Sequence, residues 1–130
     1  MTGKTIALDT NVAIAVLNNT GDIRGWVAPY ETVCLPVPVV GELLFGARNS
    51  RRPDENCDRV RTLVSSCRIL AADLATAETY SCVRRQLKQA GTPIPENDVW
   101  IAALCVQNAL PLATSDEHFE RVDGLEIVKR

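Results

Sequence analysis

Aromatic residues make up 5% of the chain, too few for the stacked-base platform on which many single-strand binders rely. There is one histidine, His118, and no Cys-x-x-Cys pair, so the usual zinc site cannot be assembled. The cysteines (Cys34, Cys57, Cys67, Cys82 and Cys105) are odd in number, widely spaced and mostly set among apolar neighbours; they read as buried, reduced thiols. No apolar run approaches the roughly 20 residues that cross a bilayer. The opening MTGKT leads into a short apolar run that Asp9 breaks at once, unlike a signal peptide, so a cytoplasmic protein with no membrane partner is expected. Neither G-x-x-x-x-G-K-[ST] nor G-x-G-x-x-G occurs, which removes the nucleotide-binding folds built on those loops. A strong charge of one sign is missing too: the net charge of −2 argues against coating nucleic acid by charge alone. Yet among 14 basic residues only Lys4, Lys88 and Lys129 are lysine, and arginine suits bidentate phosphate contacts better.

What is present fits one ordinary globular domain spanning residues 1–130, with 46% hydrophobic and 23% charged residues. The chain alternates. Short continuous apolar runs at 5–9 (TIALD), 32–36 (TVCLP), 68–72 (RILAA), 111–115 (PLATS) and 125–129 (LEIVK) read as strands covered on both faces. Helical patterns lie between them, at 11–18, 22–30, 38–48, 53–67, 73–91 and 98–109, with Gly91 as a stop. Residues 116–124 read as a loop or a turn of helix. Such alternation predicts an α/β fold, a parallel sheet sandwiched between helices.

In open parallel sheets functional groups collect beyond the carboxyl ends of the strands. Asp9 ends the first strand, Asp116 follows PLATS directly, and Asp98 opens a helix whose start can face the same edge. Glu42 has Pro38, Val39, Phe45 and Gly46 three and four positions away, so its helical face is not a solvated one and its carboxylate needs a partner or a polar cavity. Each acid has a plainer role open to it: Asp9 and Asp98 as helix-start residues, Asp116 as a loop or capping residue, Glu42 in a structural ion pair. Four acids at one edge would repel, and would hold protons or a divalent cation. Oxygen-only ligands favour Mg²⁺ or Mn²⁺.

The segments LDTNV (8–12), VVGELLFGAR (39–48), IPENDVWIAAL (94–104) and LPLATSDEHFERVDGLEIV (110–128) resemble the PIN-domain ribonucleases of the VapC toxin family, in order and spacing, over nearly the whole chain. The resemblance implies a Mg²⁺- or Mn²⁺-dependent endoribonuclease acting on RNA, often tRNA or ribosomal RNA. It also implies a cognate VapB-type antitoxin, a homodimer, and contact with operator DNA only through the antitoxin. By the same resemblance Asp9, Glu42, Asp98 and Asp116 form the catalytic, metal-holding quartet, with Asn11 and Thr114 as supporting polar residues. A water activated at that metal would attack the phosphate in line, leaving a 5′-phosphate and a 3′-hydroxyl.

Other features admit two readings. Arg48, Arg51 and Arg52 after the Glu42 helix could grip RNA phosphates, or simply place positive charge at a helix C-terminus. His118 could act on a proton, but a surface histidine in a turn is the simpler reading. Arg84, Arg85 and Lys88 suit a solvated helix face. Trp26, Tyr30, Leu44 and Phe45 could line a groove for an antitoxin helix, or pack in the core. A haloacid-dehalogenase-like phosphatase would need a later Lys and a Gly-Asp acidic loop; the lysines are only Lys4, Lys88 and Lys129, and the sole Gly-Asp, at 21–22, comes too early. A receiver-like regulatory module would need paired acids after the first strand, and a PIN-fold module that only binds would be marked by a lost acid.

Overall fold

The computed structural model describes residues 4–130. Its sheet has five strands in the order β3-β2-β1-β4-β5, every pair parallel. The strands are β1 (Thr5–Leu8), β2 (Thr32–Pro36), β3 (Arg68–Leu70), β4 (Leu112–Thr114) and β5 (Ile127–Lys129). Six α-helices connect them: α1 (Thr10–Asn18), α2 (Ile23–Val27), α3 (Val37–Arg48), α4 (Pro53–Ser65), α5 (Leu74–Ala90) and α6 (Glu96–Gln107), with a 3₁₀ turn at Glu117–Arg121. The α/β sandwich expected from the alternating pattern is therefore present. The strand order differs from the 2-1-3-4-5 of receiver-type folds, which removes that rival.

Burial follows the sequence pattern. Ile6, Ala7 and Leu8 of central β1, Leu35 of β2 and Leu112 and Ala113 of β4 are wholly inaccessible. Helix α6 buries Val99 and the run Ile101–Cys105, and packs against α5, α3 and β2, so it is apolar nearly all round. Because β1 pairs with β2 on one side and β4 on the other, the order reverses between β1 and β4. That switch point opens a crevice at the carboxyl edge, the usual seat of a ligand in such sheets.

Boundaries moved where local backbone chemistry outweighed hydrophobicity. Helix α2 is shorter than 22–30, and β3 stops at Leu70 because Ala71 and Ala72 are exposed and Asp73 turns outward to cap α5. That cap is a capping box: the Asp73 side chain accepts from Thr76 N while Thr76 Oγ1 accepts from Asp73 N. Gly91, at φ 70°, closes the same helix in the left-handed conformation, as its position suggested. Helix α6 starts at Glu96, not Asp98, because extended Pro95 already serves as its N-cap, and it ends before Ala109, whose φ is 53°. Strand β5 begins only at Ile127, after Gly124 turns the chain at φ 80°. Among the cysteines Cys34, Cys57 and Cys105 are buried, whereas Cys82 on the outer face of α5 is exposed, contrary to the expectation of burial.

Candidate active site

Asp9 leaves β1 directly into α1. Its backbone N–H donates to Ala113 O at 3.0 Å, extending the β1–β4 pairing by one residue, which holds its Cα at the reversal point. The side chain is 6% exposed, and both oxygens are used: Oδ1 accepts from Thr10 N at 2.8 Å, Oδ2 from the Thr114 hydroxyl at 2.7 Å. Burial pushes its carboxyl above the usual range; the Thr114 and Thr10 hydrogen bonds oppose this, and the charges of Asp116 and Glu42 reinforce it. Asp9 is thus both the N-cap of α1 and a member of an acidic group.

Thr114, at the end of β4 and 1% exposed, orients two acids with one hydroxyl. The oxygen donates to Asp9 and accepts from the Asp116 backbone N–H at 2.9 Å. Asp116 then caps the 3₁₀ turn, its Oδ1 accepting from His118 N at 2.9 Å. The carboxylate of Asp98, in the first turn of α6, reaches the same place from the other side. Burial pushes the Asp98 carboxyl up to about 6, and the charges of Asp9, Asp116 and Glu42 add to that while His118 opposes it.

Glu42 closes the group from α3. It is held by neutral donors, the hydroxyl of Thr10 and the side-chain amide of Asn97. No ion pair to Glu42 occurs among the described residues, which overturns the salt-bridge alternative. Its helix face is also less covered than the neighbouring residue types suggested: Phe45 is 71% exposed, so α3 presents an aromatic ring to solvent beside a groove. Trp26, Tyr30 and Leu44, by contrast, pack against the core.

The structure thus brings together Asp9, Glu42, Asp98, Asp116 and Thr114. It does not bring in the rest. Asn11 is exposed, and the residue of α1 that reaches Glu42 is its neighbour Thr10. Arg48 ends α3, six residues beyond Glu42 or about 9 Å along the axis. Arg51 and Arg52 are exposed beyond it, and Arg52 pairs with Glu55 at 3.3 Å.

Three contributors escape a linear reading: Thr10, Asn97 and His118. The first two stand beside acids already singled out, and adjacency in LDTN and ENDV was the available signal. His118 is not simply a surface residue. Its Nδ1 lies 3.1 Å from Asp116 Oδ1 and 3.8 Å from Asp98 Oδ2, and donor atoms from Asp98, Asp116 and His118 fall within 4.8 Å of one another. Nδ1 is buried and has no hydrogen-bond partner among the described residues. A cluster of carboxylates, with Asp9 and Asp98 raised in proton affinity and an orphaned nitrogen at its focus, is chemically suited to a divalent cation.

The chain as a whole has counterparts among known proteins. Residues 6–125 match the family profile of the PIN domain. The chain is 31% identical over 124 residues to a protein named Ribonuclease VapC5 from Mycobacterium tuberculosis, covering 94% of this chain and 90% of that one. It is 30% identical over 121 residues to a protein of Shigella flexneri named tRNA(fMet)-specific endonuclease VapC, covering 91% and 92%. In structure it resembles a chain of the DNA-bound VapBC complex from Salmonella typhimurium, with a TM-score of 0.89, 28% identity and 98% of each chain covered. The chain belongs to the PIN-domain family, and within it to the VapC ribonucleases.

Proposed function

We propose that the chain is a Mg²⁺- or Mn²⁺-dependent endoribonuclease, the toxin of a VapBC-type pair. Its substrate is structured RNA, tRNA or ribosomal RNA, and it works in the cytoplasm as a homodimer restrained by a VapB-type antitoxin. Operator DNA is reached only through that antitoxin. The observation that carries the reading is the convergence of Asp9, Asp98 and Asp116 on the β1–β4 crevice, with Asp98 held near a carboxyl pKa of about 6 by burial and by its acidic neighbours. The names of the relatives support RNA as substrate, and the assemblies in which the structural neighbours were solved support the antitoxin. No helix among the described residues is long and apolar enough to cross a membrane.

Asp9, Asp98 and Asp116 would hold the cation, with Glu42 completing the set. Bound there, the cation would polarise the scissile phosphate and lower the pKa of a water in the crevice. The protein's own part is positional. Thr114 fixes the rotamer of Asp9 and, through its backbone bond, the direction of Asp116. Thr10 and Asn97 hold Glu42 facing the crevice, where it can orient the attacking water or accept its proton. In-line attack leaves a 5′-phosphate and a 3′-hydroxyl.

The test is expression of the chain with and without its neighbouring open reading frame, followed by mapping of RNA ends. Growth arrest by the chain alone, with new 5′-phosphate ends, is expected. Asp9→Asn should reduce purified cleavage by at least about 100-fold while the protein remains folded by circular dichroism. Undiminished cleavage by Asp9→Asn would overturn the proposal.

A further inference from the structure

The four acids leave unexplained why an imidazole is packed against two of them with its inner nitrogen unpartnered. His118 sits on the 3₁₀ turn. Next to it Phe119 is wholly buried, which locks the turn to the core, while Asp116 caps the turn through His118 N. These anchors on both sides turn the ring inward, toward Asp98 on α6.

The approach of Nδ1 to Asp116 Oδ1 is close, at 3.1 Å, but does not have hydrogen-bond geometry. A proton on Nδ1 would therefore be a buried donor with no acceptor in line. An unprotonated Nδ1 would be a buried lone pair with no donor to accept from, beside two carboxylates. A cation at the common focus relieves both arrangements. The spacing suits one: metal–ligand bonds of about 2.1–2.2 Å place adjacent donor atoms of one coordination shell about 3 Å apart and opposite ones just over 4 Å. The separations of 3.1 and 3.8 Å fall in that range.

We infer that His118 is itself a ligand, giving Nδ1 to a divalent cation shared with Asp98 and Asp116, and that the site therefore favours Mn²⁺ over Mg²⁺. The inference rests on the cation-dependent reading above and adds one nitrogen to an otherwise all-oxygen set. Nitrogen ligands discriminate against Mg²⁺, which prefers oxygen and gives up water reluctantly, whereas first-row transition cations accept imidazole.

The test is cation binding, not turnover. Metal-free full-length protein is titrated by calorimetry with Mn²⁺ alone and with Mg²⁺ alone, and the Mn²⁺-loaded protein is examined by pulsed electron paramagnetic resonance. Wild-type protein should bind Mn²⁺ about tenfold or more tighter than Mg²⁺ and show the nitrogen modulation of a directly bound imidazole. His118→Gln should lose about tenfold in Mn²⁺ affinity, lose the nitrogen signal, and change Mg²⁺ affinity by less than about twofold. Absence of nitrogen modulation in wild-type protein overturns the inference and needs no variant to be stable. Unchanged Mn²⁺ affinity in His118→Gln overturns it too. Mn²⁺ binding that is weakened by Asp98→Asn but carries no nitrogen signal would sink the imidazole ligand and leave the carboxylate site standing; failure to bind either cation would sink both.

Discussion

Asp98 shows how one carboxyl couples the site to stability. Its folded-state pKa is raised from 3.8 to about 6, first by burial and then by Asp9, Asp116 and Glu42. Between those values the folded chain binds the proton that the unfolded chain has already released. Metal-free protein therefore loses stability as pH rises from about 4 to 6, and the deficit persists above that range. Asp98→Asn lacks the penalty, so above pH 6 it should be more stable than wild type by about 1–2 kcal/mol in metal-free denaturant unfolding. A less stable variant would mean that the carboxylate serves the fold as a helix-start group. Asp73 has the opposite sign: the Thr76 N–H holds its carboxyl below the usual range, so its stabilisation is present above that range and lost as pH falls.

At the scale of elements, the site depends on two short pieces of chain. Strand β4 contributes only Leu112–Thr114, and the 3₁₀ turn only Glu117–Arg121, yet between them they aim Thr114, Asp116 and His118. Phe119 fixes the turn, being wholly buried in the main core. Phe119→Ala should cost about 3–5 kcal/mol in urea unfolding. At permissive temperature the folded variant should bind cation more weakly, because the turn loses the contact that orients Asp116. Retained wild-type affinity in the folded variant would show that Thr114 alone sets Asp116. Helix α5 is held at both ends, by a capping box and by Gly91 at φ 70°.

The whole molecule has a net charge of −2, and the carboxylates of Asp9, Glu42, Asp98 and Asp116 gather where the proposed anionic substrate must approach. A bound divalent cation offsets part of that charge, so substrate binding and stability should both be linked to metal. Protein stripped with chelator should melt higher on adding Mn²⁺, by about 2.7 kcal/mol of stabilisation at 100 times the dissociation constant. The gain should shrink below pH 6, where a proton competes for Asp98. A melting temperature indifferent to cation at neutral pH would contradict a metal site in the crevice.

Local chemistry in the sequence determined the order of elements and most of the acids. Continuous apolar runs specify strands covered on both faces, and the five runs of this chain became five parallel strands. Residues at or just beyond the ends of those strands, such as Asp9 and Asp116, could be picked out because a parallel sheet delivers all its strand ends to one edge, whereas Thr114 was implied only by the family resemblance. Tertiary structure decided what each acid touches. Only the pairing of β1 with β4 sets Thr114 against Asp9, across 105 positions of chain, and only packing of α3 near α6 gives Glu42 the amide of Asn97. His118 was the hardest to read in advance, because a lone histidine in a turn carries no local sign of direction. Its meaning came from the buried Phe119 beside it and from Asp98 on a distant helix, whose carboxylate meets it at the crevice.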